Sequence, residues 1–347
     1  MDVYGFVSPM PRLALVMIAR DEARCIVRCL RSARPWVDEM IVLDTGSRDN
    51  TAALAQAEGA QVHHFTWVQD FAAARNAALA LSHADWNLVL DADEFLSEGG
   101  ELIAALRHQP PDFIGRVDVR SAFQANGHPH QQDASSWLPR VLPAGVKYEG
   151  RIHEQPVSSL PRKDLAVTVL HDGYMPAQMQ AKGARNRALL EAAVTERPQD
   201  AYLHYQLGKD HEVNDRFGEA WLAYEQALQL LGPQAGREPP WRHDLILRSL
   251  YALKANGQVE QAIQLADIEM GNWPHSPDFF FVLGDVLLDL ATALPEQAVD
   301  ILPMIENAWR QSLAIGENPK LEGAVHGRGS HLARHNLKLL LGTMAEI

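Results

Sequence analysis

Three short apolar runs punctuate the first half of the chain: Leu13-Ala14-Leu15-Val16-Met17-Ile18, Met40-Ile41-Val42-Leu43 and Trp86-Asn87-Leu88-Val89-Leu90. Each is continuous rather than alternating, the pattern of a strand buried on both faces of a parallel sheet. Between them the apolar spacing turns helical and the ends are legible. Asp49-Asn50 is placed to cap a helix running through Ala53 to Glu58, and Gly59 supplies its left-handed stop. Strand, helix, strand at this spacing predicts right-handed βαβ units in an open, Rossmann-like α/β sheet, whose ligands sit beyond the carboxyl ends of the strands. The alternation persists to about Leu170.

After Tyr174 the strand signals fade, and from Gln178 the chain is nearly all helix formers with turn residues at intervals. Leu207-Gly208, His211, Ala220, Tyr224 and Ala227 match the tetratricopeptide spacing of small and large residues, a helix-pair repeat of about 34 residues. A poorer copy is centred on Ala262 and closed by Pro274. A third begins at Leu283-Gly284 and carries an insertion near Leu294-Pro295 before Trp309, and His331 to Leu341 reads as a closing helix. The expected domains are an α/β domain over residues 1–176 and an all-α, TPR-like helical repeat domain over 177–347, with a plain helical bundle as the alternative for the second.

A chain of 347 residues with 47% hydrophobic residues can bury two cores. Its formal net charge of -13 supplies no basic field, so nucleic acid is a poor partner and any polyanionic ligand must be held locally by a metal or a few cations. Cys25 and Cys29, one helical turn apart, form neither a disulfide framework nor a zinc site and read as core thiols. Met1-Asp2 opens without a basic segment, and Leu13 to Ala19 falls far short of the roughly 20 residues that span a bilayer. The expectation is a cytoplasmic protein with no transmembrane segment.

The sharpest chemical signal is Leu90-Asp91-Ala92-Asp93-Glu94, where an apolar strand runs straight into three carboxylates. Like charges this close repel, and a divalent cation would neutralise them; oxygen ligands favour Mg2+ or Mn2+, which can bridge the phosphates of a nucleotide. Asp91 and Asp93 would point to opposite faces of a continuing strand, so the motif works only where the chain turns. The other strand ends are also polar: Ala19-Arg20-Asp21-Glu22 after the first, Asp44-Thr45-Gly46-Ser47 after the second. Asp44 is placed to accept from a base or ribose. Arg75, on a helix that otherwise reads as buried, needs an anion, and Asp91 or a diphosphate would serve.

Taken together, Met17-Ile18-Ala19-Arg20-Asp21-Glu22, Val42-Leu43-Asp44-Thr45-Gly46-Ser47-Arg48-Asp49-Asn50-Thr51, Asp70-Phe71-Ala72-Ala73-Ala74-Arg75-Asn76 and Leu90-Asp91-Ala92-Asp93-Glu94 resemble family-2 glycosyltransferases of the GT-A fold. Within them the chain is most similar to the bacterial branch with appended tetratricopeptide repeats, which includes peptide glycosyltransferases that modify bacteriocins. The likeness extends through Pro139-Arg140-Val141-Leu142, Tyr148-Glu149-Gly150-Arg151-Ile152-His153-Glu154 and His171-Asp172-Gly173-Tyr174. It implies a UDP-sugar donor and inversion at the anomeric carbon. It also implies uridine held near Ala19, Glu22 and Asp44, with Arg20, Arg75, Asp91 and Ala92 completing the nucleotide-sugar site, and a Mn2+ or Mg2+ ion at Asp93.

Two positions depart from the family pattern. Many members carry a second Asp where Thr45 stands, so the uracil contact there is lost or moved to Asp44, and many carry Asn where Asp21 stands. The family's frequent Glu-Asp base pair is absent, and His153-Glu154 takes its place in our reading. Glu154 is then the general base, with His153 able to hold the metal or a phosphate, unless Glu154 is a structural ion-pair partner of Arg151 or Arg140. His171 would complete the coordination begun at Asp93, along with Asp91, or else is a core histidine bonded to backbone.

The expected acceptor is a peptide, protein or glycan, because helical-repeat grooves take polypeptide segments; homo-oligomerisation through the repeats stays open. Two other readings compete: a non-enzymatic scaffold that senses a nucleotide sugar, and a glycan- or lipopolysaccharide-modifying transferase. Nucleotidyl transfer is disfavoured because Met17 to Cys25 contains no glycine for a phosphate loop.

Overall fold

Leu13, Ala14, Leu15, Val16 and Met17 are all buried, so the first apolar run is covered on both faces, as its continuity predicts. The computed structural model describes residues 10–123, 132–171, 176–232 and 237–344. The chain divides into two compact units, Met1–Ser121 with Trp137–Pro176, and Ala122–Ser136 with Ala177–Ile347.

In the first unit, β1 (Leu13–Ala19), α1 (Ile26–Ala33), β2 (Glu39–Asp44), α2 (Thr51–Ala57), β3 (Gln61–His64), α3 (Phe71–Leu79) and β4 (Trp86–Val89) follow one another as strand and helix. β1 pairs in parallel with β2 on one side and β4 on the other, and β2 pairs in parallel with β3. The chain thus winds away from β1 in one direction and returns on its other side, which opens a crevice at the carboxyl ends of β1 and β4.

The rest of the sheet is mixed. β5 (Glu94–Glu98), α4 (Gly100–Ala105), β6 (Ile114–Phe123), β7 (Gln132–Pro143), the hairpin strands β8 (Lys147–Glu149) and β9 (Gln155–Val157), and β10 (Arg162–His171) complete the unit. The sheet order is β3-β2-β1-β4-β7-β6-β10-β5, with β7 antiparallel to β4 and β10 antiparallel to β5. This curled mixed sheet is GT-A-like. Charged residues interrupt the apolar pattern of its second half: Asp164 of β10 is in register with Arg116 of β6, and their side chains meet at 2.6 Å.

The stop of α2 at Gly59 is as expected, with φ of 84°. Its start is not. Asn50 makes no side-chain cap; Asp49 Oδ1 accepts the Thr51 N–H at 2.9 Å and its Oδ2 accepts the Ala23 N–H at 3.1 Å. The aspartate therefore ties two strand-end loops together as well as opening a helix.

The second unit is helical: α5 (Pro176–Glu196), α6 (Ala201–Val213), α7 (Phe217–Leu231), α8 (Arg242–Ala255), α9 (Val259–Glu269), α10 (Pro277–Ala293), α11 (Ala298–Ile315) and α12 (His331–Met344). Two of the helix pairs, α6 with α7 and α10 with α11, share one packing device. A Cβ added at Gly208 of α6 would stand 2.2 Å from the Tyr224 ring of α7, and one at Gly284 of α10 would stand 2.3 Å from the Trp309 indole of α11. A glycine under a large ring lets each pair approach closely, and this helical region fits tetratricopeptide repeats. The insertion in the third copy is a 3-10 turn at Pro295–Gln297.

Gly208→Ala should lower stability by about 1–3 kcal/mol, because the Tyr224 ring is buried and its hydroxyl donates to Glu212 at 2.6 Å, so it cannot yield. Gly183→Ala, where an added Cβ meets nothing within 4 Å, should instead gain roughly 0.5–1 kcal/mol from helix propensity. Thermal melting of the two variants checks the contrast, and equal shifts would refute the packing account.

Candidate active site

The loops after β1 and β2 are built against each other. Asp21 adopts φ of 55°, a left-handed conformation that Asn and Asp tolerate best, which gives a physical reason for finding either residue there. Its N–H donates to Ser47 Oγ at 3.0 Å, and its Oδ1 accepts the Arg48 N–H at 2.7 Å. The buried Glu22 donates its N–H to Thr51 Oγ1 at 2.8 Å. Thr45 turns inward, and both its N–H and its hydroxyl donate to the Ala19 carbonyl. Asp44 is buried and accepts the Gly46 and Ser47 N–H groups at 3.2 and 3.1 Å, a turn that Gly46 completes at φ of 103°. Ala19, Arg20, Glu22 and Asp44 thus lie together on two facing loops, with Arg20 Nε 3.6 Å from Asp21.

Beyond β4 the chain does turn at the acidic run. Glu94 N–H donates to the Asp91 carbonyl and Asp91 N–H donates to Glu94 Oε2, both at 3.0 Å. From α1, Cys29 Sγ donates to the same Asp91 carbonyl at 3.5 Å, and Ser32 Oγ accepts the Leu96 N–H at 2.9 Å, so one helix face holds the turn at both ends. Ala92 is buried within it.

Two buried guanidiniums converge on this turn. Arg75 Nη2 lies 2.6 Å from Asp91 Oδ1, and Arg140 Nη2 lies 3.0 Å from Asp91 Oδ2. Arg75 Nε also donates to Glu154, and Arg140 to Glu94. Burial by itself would raise the Asp91 pKa, but Arg75 and then Arg140 hold it well below the ordinary 3.8. Glu94 goes the other way: burial raises it, Arg140 only partly offsets that, and Asp91 adds to the rise. Two cations face three carboxylates here.

Helix α3 sets this geometry. Asp70 caps it by accepting the Ala73 N–H at 2.9 Å, and the Phe71 N–H donates to the Arg151 carbonyl at 2.8 Å. Asn76 and Tyr148 exchange two hydrogen bonds, side-chain amide to backbone, at 2.9 and 2.8 Å. The helix therefore lies along the Tyr148 to Glu154 loop, and Arg75 meets Glu154. The ion-pair partner of Glu154 is Arg75, not Arg151 or Arg140. Arg75 Nη1, Arg140 Nε and the Tyr148 hydroxyl are buried with no hydrogen-bond partner among the described residues.

Antiparallel pairing of β10 with β5 sets His171 opposite Glu94. His171 Nε2 consequently lies 3.6 Å from Asp93 Oδ1, so a carboxylate is among its partners. Burial would lower its pKa, but the bond to Asp93 raises it above the ordinary 6.5. The four side chains expected at a metal are not drawn together. Both Asp91 oxygens belong to guanidiniums, and His153 is exposed on the β8–β9 loop with φ of 51°. Among the described residues no group of three or more His, Cys, Asp or Glu is arranged to hold a metal. Asp93 and His171 form a carboxylate-imidazole pair. The carboxylate suits Mn2+ or Mg2+ and the imidazole suits the softer Mn2+ better of the two; an ion there would keep waters and take its other ligands from substrate phosphates. Asp172-Gly173-Tyr174 lies outside the described residues.

The role of Arg140 is the part that sequence reasoning missed. Its signal was present: an arginine inside the apolar run Leu138-Pro139-Arg140-Val141-Leu142 asks for a buried anion as much as Arg75 does.

The mixed sheet, with polar loops at its switch point and an acidic turn gripped by arginines, is of GT-A type. Residues 14–167 match Glycosyl transferase family 2. The chain is 35% identical to a TPR repeat-containing protein of Synechococcus elongatus, over 74% of this chain and 65% of that one. It is 26% identical to the SPbeta prophage-derived glycosyltransferase SunS of Bacillus subtilis, over 81% of this chain and 68% of that one. The matched region thus spans about two thirds of each relative. A glucosyl-3-phosphoglycerate synthase from Mycobacterium tuberculosis, solved with Mn2+ and UDP-glucose, is 25% identical over 32% of this chain and 44% of that one. Its TM-score is 0.28, too slight a likeness to bear on donor or metal. No helix among the described residues is long and apolar enough to cross a membrane.

Proposed function

We propose that the protein is a glycosyltransferase that moves a sugar from a UDP-sugar to a hydroxyl or thiol of a peptide, protein or glycan acceptor, with inversion. It works in the cytoplasm, where its two buried free thiols stay reduced. The observation that carries the reading is the Asp93–His171 pair beside the buried Arg75 and Arg140, at the carboxyl ends of the sheet strands. Asp93 and His171 would hold Mn2+ or Mg2+, which supplies charge neutralisation for the donor diphosphate when bound.

Glu154 removes the acceptor proton, the acceptor atom attacks the anomeric carbon from the face opposite the leaving group, and the bond to the diphosphate breaks with its electron pair. Arg75 receives part of that charge through Nη1, which has no hydrogen-bond partner among the described residues. In the resting site one Glu154 oxygen accepts from Arg75 and is not open to an acceptor proton. A diphosphate drawn to Arg75 competes for the guanidinium and weakens that hold, so donor arrival activates the base.

Glu154→Gln should keep UDP affinity within a few fold and slow transfer by roughly a hundredfold or more, since a general base acts on the acceptor and hardly on the nucleotide. UDP release from a panel of UDP-sugars, with and without Mn2+ and with peptide and glycan acceptors, tests the whole reading. Near wild-type transfer by the variant would assign the base elsewhere; no release with any donor would leave a scaffold.

A further inference from the structure

Helix pairs in the second unit are joined tightly, by Asn214–Arg216 between α6 and α7 and by Asn256–Gln258 between α8 and α9. The connection from α11 to α12 is different: residues 316–330 contain no helix and only an isolated β-bridge, at Val325. Structureless connections beyond about 12–15 residues are uncommon in compact domains and usually have a task.

This segment lies on the first helices of the pairs. The His243 ring of α8 bonds the Glu322 carbonyl through Nδ1 at 2.6 Å. Gly323 packs so closely on Asp244 that an added Cβ would stand 2.1 Å from its Oδ1. On α10, Asp278 Oδ1 accepts the Val325 N–H at 2.9 Å and faces Arg328 Nη1 at 3.3 Å, while the Arg328 guanidinium lies 5.6 Å from the Phe281 ring centroid. Ala324 and Val325 are buried, and the Ser135 N–H, from the stretch Ala122–Ser136 of this same unit, donates to the Ala324 carbonyl at 3.3 Å. Asp278 is itself buried, with a side-chain exposure of 2%, so whatever covers it must bring both a backbone N–H and a cation.

We propose that residues 321–328 are a built-in peptide ligand, and that the face formed by α8 and α10 is a peptide-binding surface occupied in cis. The chemistry it reads is a glycine that clears Asp244, a small apolar stretch, and an arginine three positions after the residue whose N–H meets Asp278. A partner polypeptide of that composition binds only when the strap leaves. Such cis occupancy sets a local concentration in the millimolar range, which shuts out a free segment at micromolar level. The inference rests on the helical unit alone and not on the transfer reading.

The test uses the full chain and a fluorescent peptide with the sequence of residues 319–330. Wild type should show no saturable binding at micromolar peptide. Arg328→Ala should loosen the strap, speed amide exchange at Val325 by roughly tenfold or more, and bind the peptide at least about tenfold more tightly than wild type. Gly323→Ala, strained by its φ of 74° and by Asp244, should do the same by a different route. Adding Asp278→Asn to Arg328→Ala should abolish the gain. Unchanged peptide binding in both folded single variants would overturn the proposal. So would loss of cooperative melting in both, since the segment would then be part of the core.

Discussion

Replacing Asp93 by Asn should abolish Mn2+-dependent binding of UDP and lower sugar transfer by roughly a thousandfold, while the protein still melts cooperatively. The size follows from the several kcal/mol of charge stabilisation that a divalent ion contributes at a departing phosphate. Survival of the fold follows from geometry: Asp91 and Glu94, not Asp93, receive the two guanidiniums of the buried network. Calorimetric titration of Mn2+ with and without UDP reads the first effect, and initial rates at saturating donor read the second. Metal-dependent affinity equal to wild type in a folded variant would remove Asp93 from the metal site.

Arg75→Met should have the largest effect on stability in the first unit. The methionine fills much of the same space but leaves Asp91 and Glu154 without the cation that both contact. Removing one member of a buried ion-pair network costs about 3–5 kcal/mol, because the remaining charges stay desolvated. The loss carries its own pH signature. Asp91 has a depressed folded pKa, so in the wild type its contribution is present above the ordinary 3.8 and is lost as pH falls toward the folded value. The gap between wild type and variant should therefore be widest near neutral pH and should narrow below about 4, where the carboxylates accept protons. Denaturant melts at a series of pH values measure it. A gap that does not change with pH would mean that Arg75 acts through packing alone.

Legibility in the sequence followed local physics. β1, β2 and β4 declare themselves because a strand covered on both faces must be apolar throughout, and the helix stop at Gly59 because few other residues take a left-handed φ. Gly208 and Tyr224 are readable for a similar reason: a ring packed over a helix leaves no room for a side chain, and the spacing repeats. β5, β6, β7 and β10 are not readable in this way. Their ladders mix apolar and charged residues whose partners lie far along the chain, as with Arg116 and Asp164.

The candidate site divides along the same line. Which residues carry charge after each strand, and that the acidic run must turn to work, are properties of the sequence itself. The tertiary structure alone decided how those charges are shared. Asp91 is given to Arg75 and Arg140 because α3 and β7 flank β4, and Asp93 is left with His171 because β10 pairs antiparallel with β5 in a register that sets His171 opposite Glu94. Glu154 goes to Arg75 rather than to Arg151 or Arg140 because Asn76 locks α3 along the Tyr148 loop. Local sequence determines where a strand ends and what charge stands there. The partner of a buried charge is chosen by sheet order and register, which join residues tens of positions apart and leave no periodic mark on the chain.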